Sequence, residues 1–318
     1  MRSTILSFGE ILWDLLPGGA QPGGAPFNAA FRMHELGDAV YIVSRIGRDR
    51  WGRRARKAVR RLGLSDACLQ TDRQYPTGKV EVTFDTAENP AYRIATNVAY
   101  DHIALTGDLK RLAARADCVC FGSLAQRSPV SRATLRALLK TARNAFRFYD
   151  VNLRAGCYTP EIVRFSLSHA DAIKLNDHEA DVLGRMLSIM SGSIPRFCEE
   201  LMRRWKSLKF CLLTLGGKGA YARSYDGDEV YVPGYRIMVA DTVGAGDAFS
   251  AGFIHAVMHG QSLRHACESG NILGAIAATQ KGATRPIGGR MRAAFAAKKS
   301  GRIVDPAFRR YMSRGCMV

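Results

Sequence analysis

Asp241-Thr242-Val243-Gly244-Ala245-Gly246-Asp247-Ala248-Phe249-Ser250-Ala251-Gly252-Phe253 is the stretch around which the chain is organised. Before it, Tyr231, Val232, Tyr235, Ile237 and Val239 mark a short extended segment; after it, Ala248, Phe249, Ala251, Phe253, Ile254 and Val257 recur at helical spacing. The pattern predicts a strand, a glycine turn and a helix. Gly244 and Gly246 let the backbone turn without a Cβ in the way, so the free N–H groups of the first helical turn can point at one spot and attract an anion. Asp247 sets this turn apart. A carboxylate inside a ring of amides has no use in anion binding alone, and it can take a proton from a hydroxyl. Aspartate also complements the helix dipole in many first turns, and the stretch by itself leaves both readings open.

Towards the N-terminus, residues 4–8 read as a strand, followed by Gly9-Glu10-Ile11-Leu12-Trp13-Asp14, a glycine-rich run over 18–24 and a helix over about 26–36. Gly23 and Gly24 ahead of Asn28 bring backbone and a side-chain amide to the mouth of a sheet, which Asp14 can approach from its own segment. Such groups hold hydroxyl-rich ligands. The plain alternatives are Asn28 as a helix-start residue and Asp14 as a turn closer. Residues 40–46 form a second strand. Residues 79–84 and 92–95, separated by Glu88-Asn89-Pro90, read as a hairpin that interrupts the βα alternation. That interruption suggests a small sheet standing off the main body, placed to act as a lid.

The alternation then resumes, with helices near 108–115, 130–144 and 161–168 and strands at 118–121, 146–151 and 172–175, as in a parallel sheet. Such sheets bind ligands beyond the carboxyl ends of their strands. Those ends read Asp150-Val151-Asn152-Leu153-Arg154 and Lys174-Leu175-Asn176-Asp177-His178-Glu179. Asn176 and Glu179, three apart on an opening helical turn, can face one phosphate or hydrated metal, or form a capping box, and the two readings are compatible. A strand over 210–215 ends in Thr214-Leu215-Gly216-Gly217-Lys218-Gly219, which lacks P-loop spacing and reads as a tight hairpin turn whose backbone can line a nucleotide. A helix over about 263–279 carries Asn271 with Ala275, Ala277 and Ala278, small enough for a flat base or simply for close helix packing. His255 and His259 stand four apart, as metal ligands could, but no third ligand is evident, and they read as helix surface or satisfied core.

Composition narrows the classes. The 318 residues, 47% hydrophobic and 23% charged, suit one large α/β domain with an excursion. No apolar run approaches the ~20 residues of a membrane span, and Ile5-Leu6-Ser7-Phe8 is too short for a signal-peptide core, so a soluble cytoplasmic protein is expected. The eight cysteines include no C-x-x-C pair and read as buried free thiols; Cys316, third from the end, does not fit a prenylation box. Net charge is +18, which raises nucleic-acid binding. In the densest basic segment, however, Trp51, Ala55, Ala58, Val59 and Leu62 make an apolar stripe, and Arg53, Arg54, Arg56, Lys57, Arg60 and Arg61 form a solvated face. No zinc-finger spacing, RNA-binding aromatic signature or basic zipper accompanies it, so nucleic acid is not the expected partner.

Gly23-Gly24-Ala25-Pro26-Phe27-Asn28, Asn176-x-x-Glu179 and Asp241-Thr242-x-Gly244-Ala245-Gly246-Asp247 together resemble the ribokinase-like (PfkB) family of carbohydrate kinases, over essentially the whole chain. Within that family the chain looks most like fructokinases, through Gly9-Glu10-x-Leu12-x-Asp14, Asp150-x-Asn152-Leu153-Arg154 and Gly23-Gly24-Ala25-Pro26. Val151 departs from the pattern, which usually has proline there. The resemblance implies a three-layer α/β sandwich with a mostly parallel central sheet, a small β-sheet lid from about 10–24 and 77–98, and transfer of the γ-phosphoryl of ATP to a sugar hydroxyl. It makes Asp247 the catalytic base and Gly244, Ala245 and Gly246 the anion hole. Asp14, Gly24, Asn28 and Arg154 fall at sugar positions, and Lys174, Asn176 and Glu179 on the Mg2+-phosphate side, Glu179 through water. Thr214, Gly216 and Gly219 match the nucleotide loop and Asn271 the adenine side, while Asp241 and Val243 fall where a monovalent cation, commonly potassium, binds. Sugar, ATP and Mg2+ are the implied partners, with a homodimer through the lid as a further expectation.

Two other classes compete. A nucleoside kinase of the same fold needs an aromatic platform, for which the lid offers Phe84 and Tyr92 but no cluster. A non-catalytic sugar or nucleotide sensor is expected to lack the base, and Asp247 is present. Fructose is the expected acceptor, ahead of ribose and nucleosides.

Overall fold

The computed structural model describes residues 2–16, 18–84, 90–297 and 301–312, the side chains of 82–84 and 90–92 excepted. In chain order its strands are β1 (Thr4–Phe8), β2 (Leu12–Leu16), β3 (Gly19–Gly23), β4 (Ala39–Gly47), β5 (Leu69–Asp72), β6 (Gly78–Phe84), β7 (Pro90–Ile94), β8 (Cys118–Phe121), β9 (Phe146–Asp150), β10 (Ala172–Asn176), β11 (Phe210–Thr214), β12 (Gly219–Ser224), β13 (Glu229–Tyr235) and β14 (Arg302–Ile303). The helices are α1 (Ala25–Glu35), α2 (Arg50–Arg61), α3 (Gly107–Ala113), α4 (Pro129–Thr141), α5 (Pro160–His169), α6 (Asp177–Leu187), α7 (Ile194–Arg204), α8 (Ala245–Met258), α9 (Leu263–Ala278) and α10 (Gly289–Ala296).

Strands that are apolar on both faces must be covered on both, and the chain does this with helices. The large sheet runs β14-β13-β12-β11-β10-β9-β8-β1-β4-β5, parallel from β11 to β5, with β12, β13 and β14 added antiparallel at one edge. Because successive strand residues point to opposite faces, Leu6, Val119, Tyr149, Ile173 and Leu213 pack beneath helices α4 to α7. Ile5, Ile42, Cys120, Phe148 and Leu212 face α1, α8 and α9 on the other side. The three-layer sandwich is therefore as expected. Helix α8 is the central helix of its layer; Ala248 to Ile254 are all buried, and Phe253 is wedged against Phe148 and Phe210 with ring centroids at 6.0 and 5.8 Å. Burying that ring stabilises the fold by about 1.5–3 kcal/mol.

A second, four-stranded sheet, β3-β2-β6-β7, stands apart on its own small core of Leu12, Val80, Val98, Tyr100 and Leu124. Its strands fall inside the two segments expected to form a lid. The side chains of Phe84 and Tyr92 lie outside the described residues.

One sequence expectation needs correction. The strand before the glycine turn stops at Tyr235, and residues 236–244 are a loop in which Met238 is 90% and Val239 62% exposed. The alternation of Ile237 and Val239 mimics a strand, but the edge partner β14 pairs only with Gly234 and Tyr235. Helix α7 and strand β5 carried no reading at all. Helix α2 matches its expectation: Ala55, Ala58 and Val59 are buried, and the basic face is partly neutralised by Asp66, which pairs with Arg56 and Arg60. The seven described cysteines are free thiols, all but Cys68 buried. Among the described residues, no helix is long and apolar enough to cross a membrane.

Candidate active site

The turn into α8 is built for close approach. Gly244 is its N-cap at φ +80°, and a Cβ there would lie 2.4 Å from the Cβ of Ala283, so only glycine fits. Asp241 holds the turn in place: Oδ1 accepts the Val243 N–H at 3.0 Å, and Oδ2 accepts the Gly282 N–H at 2.9 Å from the segment after α9. The Ala245 N–H turns back to the Thr242 carbonyl at 3.2 Å. The amides of Gly246 and Asp247, ahead of any helical carbonyl, remain at the open end of the helix.

Asp247 is partly buried in the first turn of α8, where its Oδ2 accepts a hydrogen bond from Asn28 Nδ2 at 2.8 Å. Burial, reinforced by the negative charge of Asp150, pushes its carboxyl up to about 6, against the opposing pull of Asn28, Lys174 and Arg154. Beneath it lies a buried pair. Lys174 Nζ donates to Asp150 Oδ1 and Oδ2 at 3.1 and 3.3 Å, and Ser250 Oγ on α8 donates to the same carboxylate at 2.7 Å. A Cβ at Gly246 would sit 3.1 Å from Lys174 Nζ, which places the ammonium directly under the helix start. Burial works against that charge, but Asp150, Glu179 and Asp247 outweigh it and hold the lysine above its ordinary pKa.

On the side towards the small sheet, Asp14 projects from β2; burial raises its pKa and Arg154 opposes the rise. Gly23 and Gly24 are required here, since a Cβ would fall 2.2 Å from Asp14 Oδ2 at the first and 2.4 Å from the Glu10 carbonyl oxygen at the second. Asn28 Oδ1 is buried without a hydrogen-bond partner. Arg154 is exposed at the rim, and its positive charge acts on Glu10, Asp14 and Asp247 alike. Asp14, Gly24, Asn28, Arg154 and Asp247 are thus tied together through Glu10, the Asn28–Asp247 bond and the charge of Arg154. Val151, fully buried, donates its N–H to the Lys174 carbonyl at 3.0 Å, a bond a proline there would lack.

Across the helix start, Asn176 and Glu179 form a complete capping box, with bonds of 2.8 and 2.9 Å. The remaining Glu179 oxygen accepts the Leu153 N–H at 2.8 Å. Both Glu179 oxygens thus accept backbone N–H groups; burial raises its pKa, and the positive charge of Lys174 opposes the rise. Thr214 ends β11, and Gly216 at φ +55° opens the tight turn into β12. Gly219 is there for packing, since a Cβ would overlap the Val232 carbonyl oxygen at 2.0 Å. Asn271 Nδ2 donates to the carbonyls of Val232 and Pro233 at 2.9 and 3.3 Å, so this amide pins α9 to β13. Val243 is half exposed on the loop before the helix.

Sequence reasoning gave no role to Glu10, Asp150 or Ser250. Glu10 is buried, accepts the Ala25 N–H at 3.3 Å, and is pushed up to about 7 by burial with a further push from Asp247. Its signal was present in Gly9-Glu10, next to a strand end, but only burial reveals its coupling to the cleft.

A family model described as pfkB family carbohydrate kinase matches residues 18–288. The chain belongs to that family. It is accordingly an ATP-dependent sugar kinase of fructokinase-like type. It is 29% identical over 309 residues to fructokinase-1 of Oryza sativa subsp. japonica, covering 88% of this chain and 93% of the rice protein. The structure of a fructokinase with bound ATP from Xylella fastidiosa superposes with a TM-score of 0.79 at 21% identity, over 89% of the kinase and 94% of that chain. A fructokinase double mutant from Vibrio cholerae O395 in a fructose, ADP and potassium ion bound form gives 0.76 at 23%, over 93% and 98%. At these identities the two structures speak for the fold of the kinase.

Proposed function

We propose that the kinase phosphorylates fructose, with Asp247 as general base. The observation that carries this is a carboxylate pushed up to about 6 at the open start of α8, held by the Asn28 amide N–H, while the amide oxygen of Asn28 is buried and unpartnered. An orphaned acceptor there is satisfied by a hydroxyl donor, as a sugar supplies. Asp14 and Arg154 frame the same cleft and would bind further hydroxyls. Asp247 accepts the acceptor hydroxyl's proton as that oxygen bonds the γ-phosphorus of ATP; the bond from phosphorus to the β,γ-bridging oxygen breaks, and its electron pair leaves on ADP. The amides of Gly246 and Asp247, with Lys174 beneath, face the charge that develops on the transferring group.

Asn176 and Glu179 would hold Mg2+ through water, and the ion would supply charge neutralisation for the phosphates. Potassium fits the oxygen-rich turn at Asp241 and Val243, whose carboxylate already organises the loop. Fructose is favoured by the fructokinase relatives and by the acceptor set in the cleft. The four-stranded sheet would close over the sugar, and pairing of two copies through it remains part of this reading.

The test is ADP release by purified protein with Mg2+-ATP and potassium over fructose, other hexoses, ribose and adenosine. Fructose should give the highest kcat/KM. A higher value for ribose or adenosine would overturn the acceptor, and no turnover with any of them would overturn the kinase reading.

A further inference from the structure

At the opposite end of α8 from the cleft, two histidines meet a buried aspartate. Asp38 lies just before β4, at the amino-terminal end of the parallel strands, and is 1% exposed. Its Oδ2 accepts a hydrogen bond from His255 Nδ1 at 2.8 Å, while its Oδ1 is buried with no hydrogen-bond partner. Arg2 reaches only the Asp38 backbone carbonyl, at 3.4 Å. His259 donates its Nδ1–H to the His255 carbonyl at 2.8 Å, so its Nε2 carries the lone pair, and the two rings stand 4.2 Å apart. One carboxylate oxygen of Asp38 and one ring nitrogen of each histidine all lie within 4.8 Å of one another.

We propose that Asp38, His255 and His259 form a site for one divalent ion of the zinc class, separate from the ATP and sugar cleft. An ion between three atoms so spaced would need each to move by under about 1 Å to reach metal–nitrogen and metal–oxygen distances of roughly 2.0–2.2 Å. Two imidazoles and one carboxylate select zinc and its neighbours over magnesium, which prefers an all-oxygen shell. The exposed edge at His259 leaves a fourth position for water. Such an ion answers the orphaned Asp38 oxygen, which otherwise keeps an unpaired acceptor out of water at a cost. It also places positive charge at the carboxyl end of α8, where the helix dipole favours it.

Asp247 is roughly 12 Å away along the helix, from the rise of ~1.5 Å per residue, so the ion takes no part in phosphoryl transfer. Its effect is to clamp the end of α8, the helix whose start makes the anion hole, to the turn between α1 and β4. The tertiary link spans 217 residues of sequence.

Tag-free full-length protein, stripped with a chelator, should be titrated with Zn2+ by calorimetry and melted with and without it, beside His259→Ala and Asp38→Asn. The wild type should bind one more Zn2+ than His259→Ala. At a hundredfold excess over the dissociation constant it should melt roughly 4 °C higher. Cobalt in place of zinc should give visible absorption bands that His259→Ala loses, and Mg2+ should give no difference between the two proteins. His259 is exposed and each protein's shift is read against its own metal-free melt, which keeps the comparison valid even if Asp38→Asn folds poorly. Equal stoichiometry and equal melting shifts in wild type and His259→Ala would overturn the site.

Discussion

Replacing Asp247 with asparagine should abolish turnover and at the same time stabilise the protein. The amide keeps the shape, and its oxygen can still accept the Asn28 Nδ2–H now found at 2.8 Å, but it cannot take a proton. Loss of a general base costs on the order of 10²–10⁴ in rate. The stability change follows from the carboxyl's position, raised from 3.8 to about 6. A shift of roughly 2 units at ~1.36 kcal/mol each corresponds to about 3 kcal/mol. The sign is fixed by which form burial disfavours. An aspartate whose folded pKa is raised contributes nothing adverse below pH ~4, where it is protonated in both states, and weakens the fold progressively as pH rises from ~4 to ~6. The variant escapes that loss.

For a chain of 318 residues, unfolding entropy is about 0.7 kcal/mol/K, from ~2.1 cal/mol/K per residue, so Asp247→Asn should melt up to about 4 °C higher at pH 8 and equally at pH 4. This is an upper bound, because the partial exposure of Asp247 screens part of its cost. Steady-state ADP release and melting curves at the two pH values test both halves. Near wild-type turnover, or a lower melting temperature at pH 8, would refute the reasoning. In the wild type, kcat/KM should fall as pH drops through about 6, with the macroscopic values shared between Asp247 and Glu10, pushed up to about 7 beside it.

Lys174→Met leaves the Asp150 carboxylate buried with Ser250 as its remaining side-chain donor, and should cost about 3–5 kcal/mol in denaturant unfolding along with ATP turnover; a loss below ~1 kcal/mol would refute the buried pair as a structural element. Asp14→Ala should lower kcat/KM for sugar by 10² or more while leaving the KM for ATP within about twofold, measured by varying each substrate in turn. Hydrogen exchange in β2, β3 and β6 should slow when fructose binds without ATP, and unchanged exchange would make the small sheet a fixed scaffold.

The parts legible in sequence are those set by local pattern. Fully buried elements such as the strand Cys118–Phe121 and the continuously buried runs 26–33 of α1 and 248–254 of α8 announce themselves in a window of ten residues, because they are rich in apolar and small side chains. Partnership is not local. Residues 236–239 alternate like a strand and become a loop because β14 is two residues long and pairs only with Gly234 and Tyr235. Asn271 reads as a base-facing amide, yet Val232 and Pro233 claim its donor from a strand far off in sequence.

The same division runs through the site. Asp247 is visible in the motif, but a carboxylate in a first turn is unremarkable until its surroundings are known. Its basicity comes from burial and from Asp150 at the end of β9, offset by Asn28 on α1, Lys174 on β10 and Arg154 at the rim. These groups come from separate elements, and only the sheet order that sets β9 beside β10, with α1 packed against α8, brings them within range of one carboxylate. Substitutions that shift β9 against β10 without touching the motif should therefore move the pH profile of the reaction, whereas a glycine turn transplanted onto another strand–helix junction would bind anions and lack a base of useful pKa.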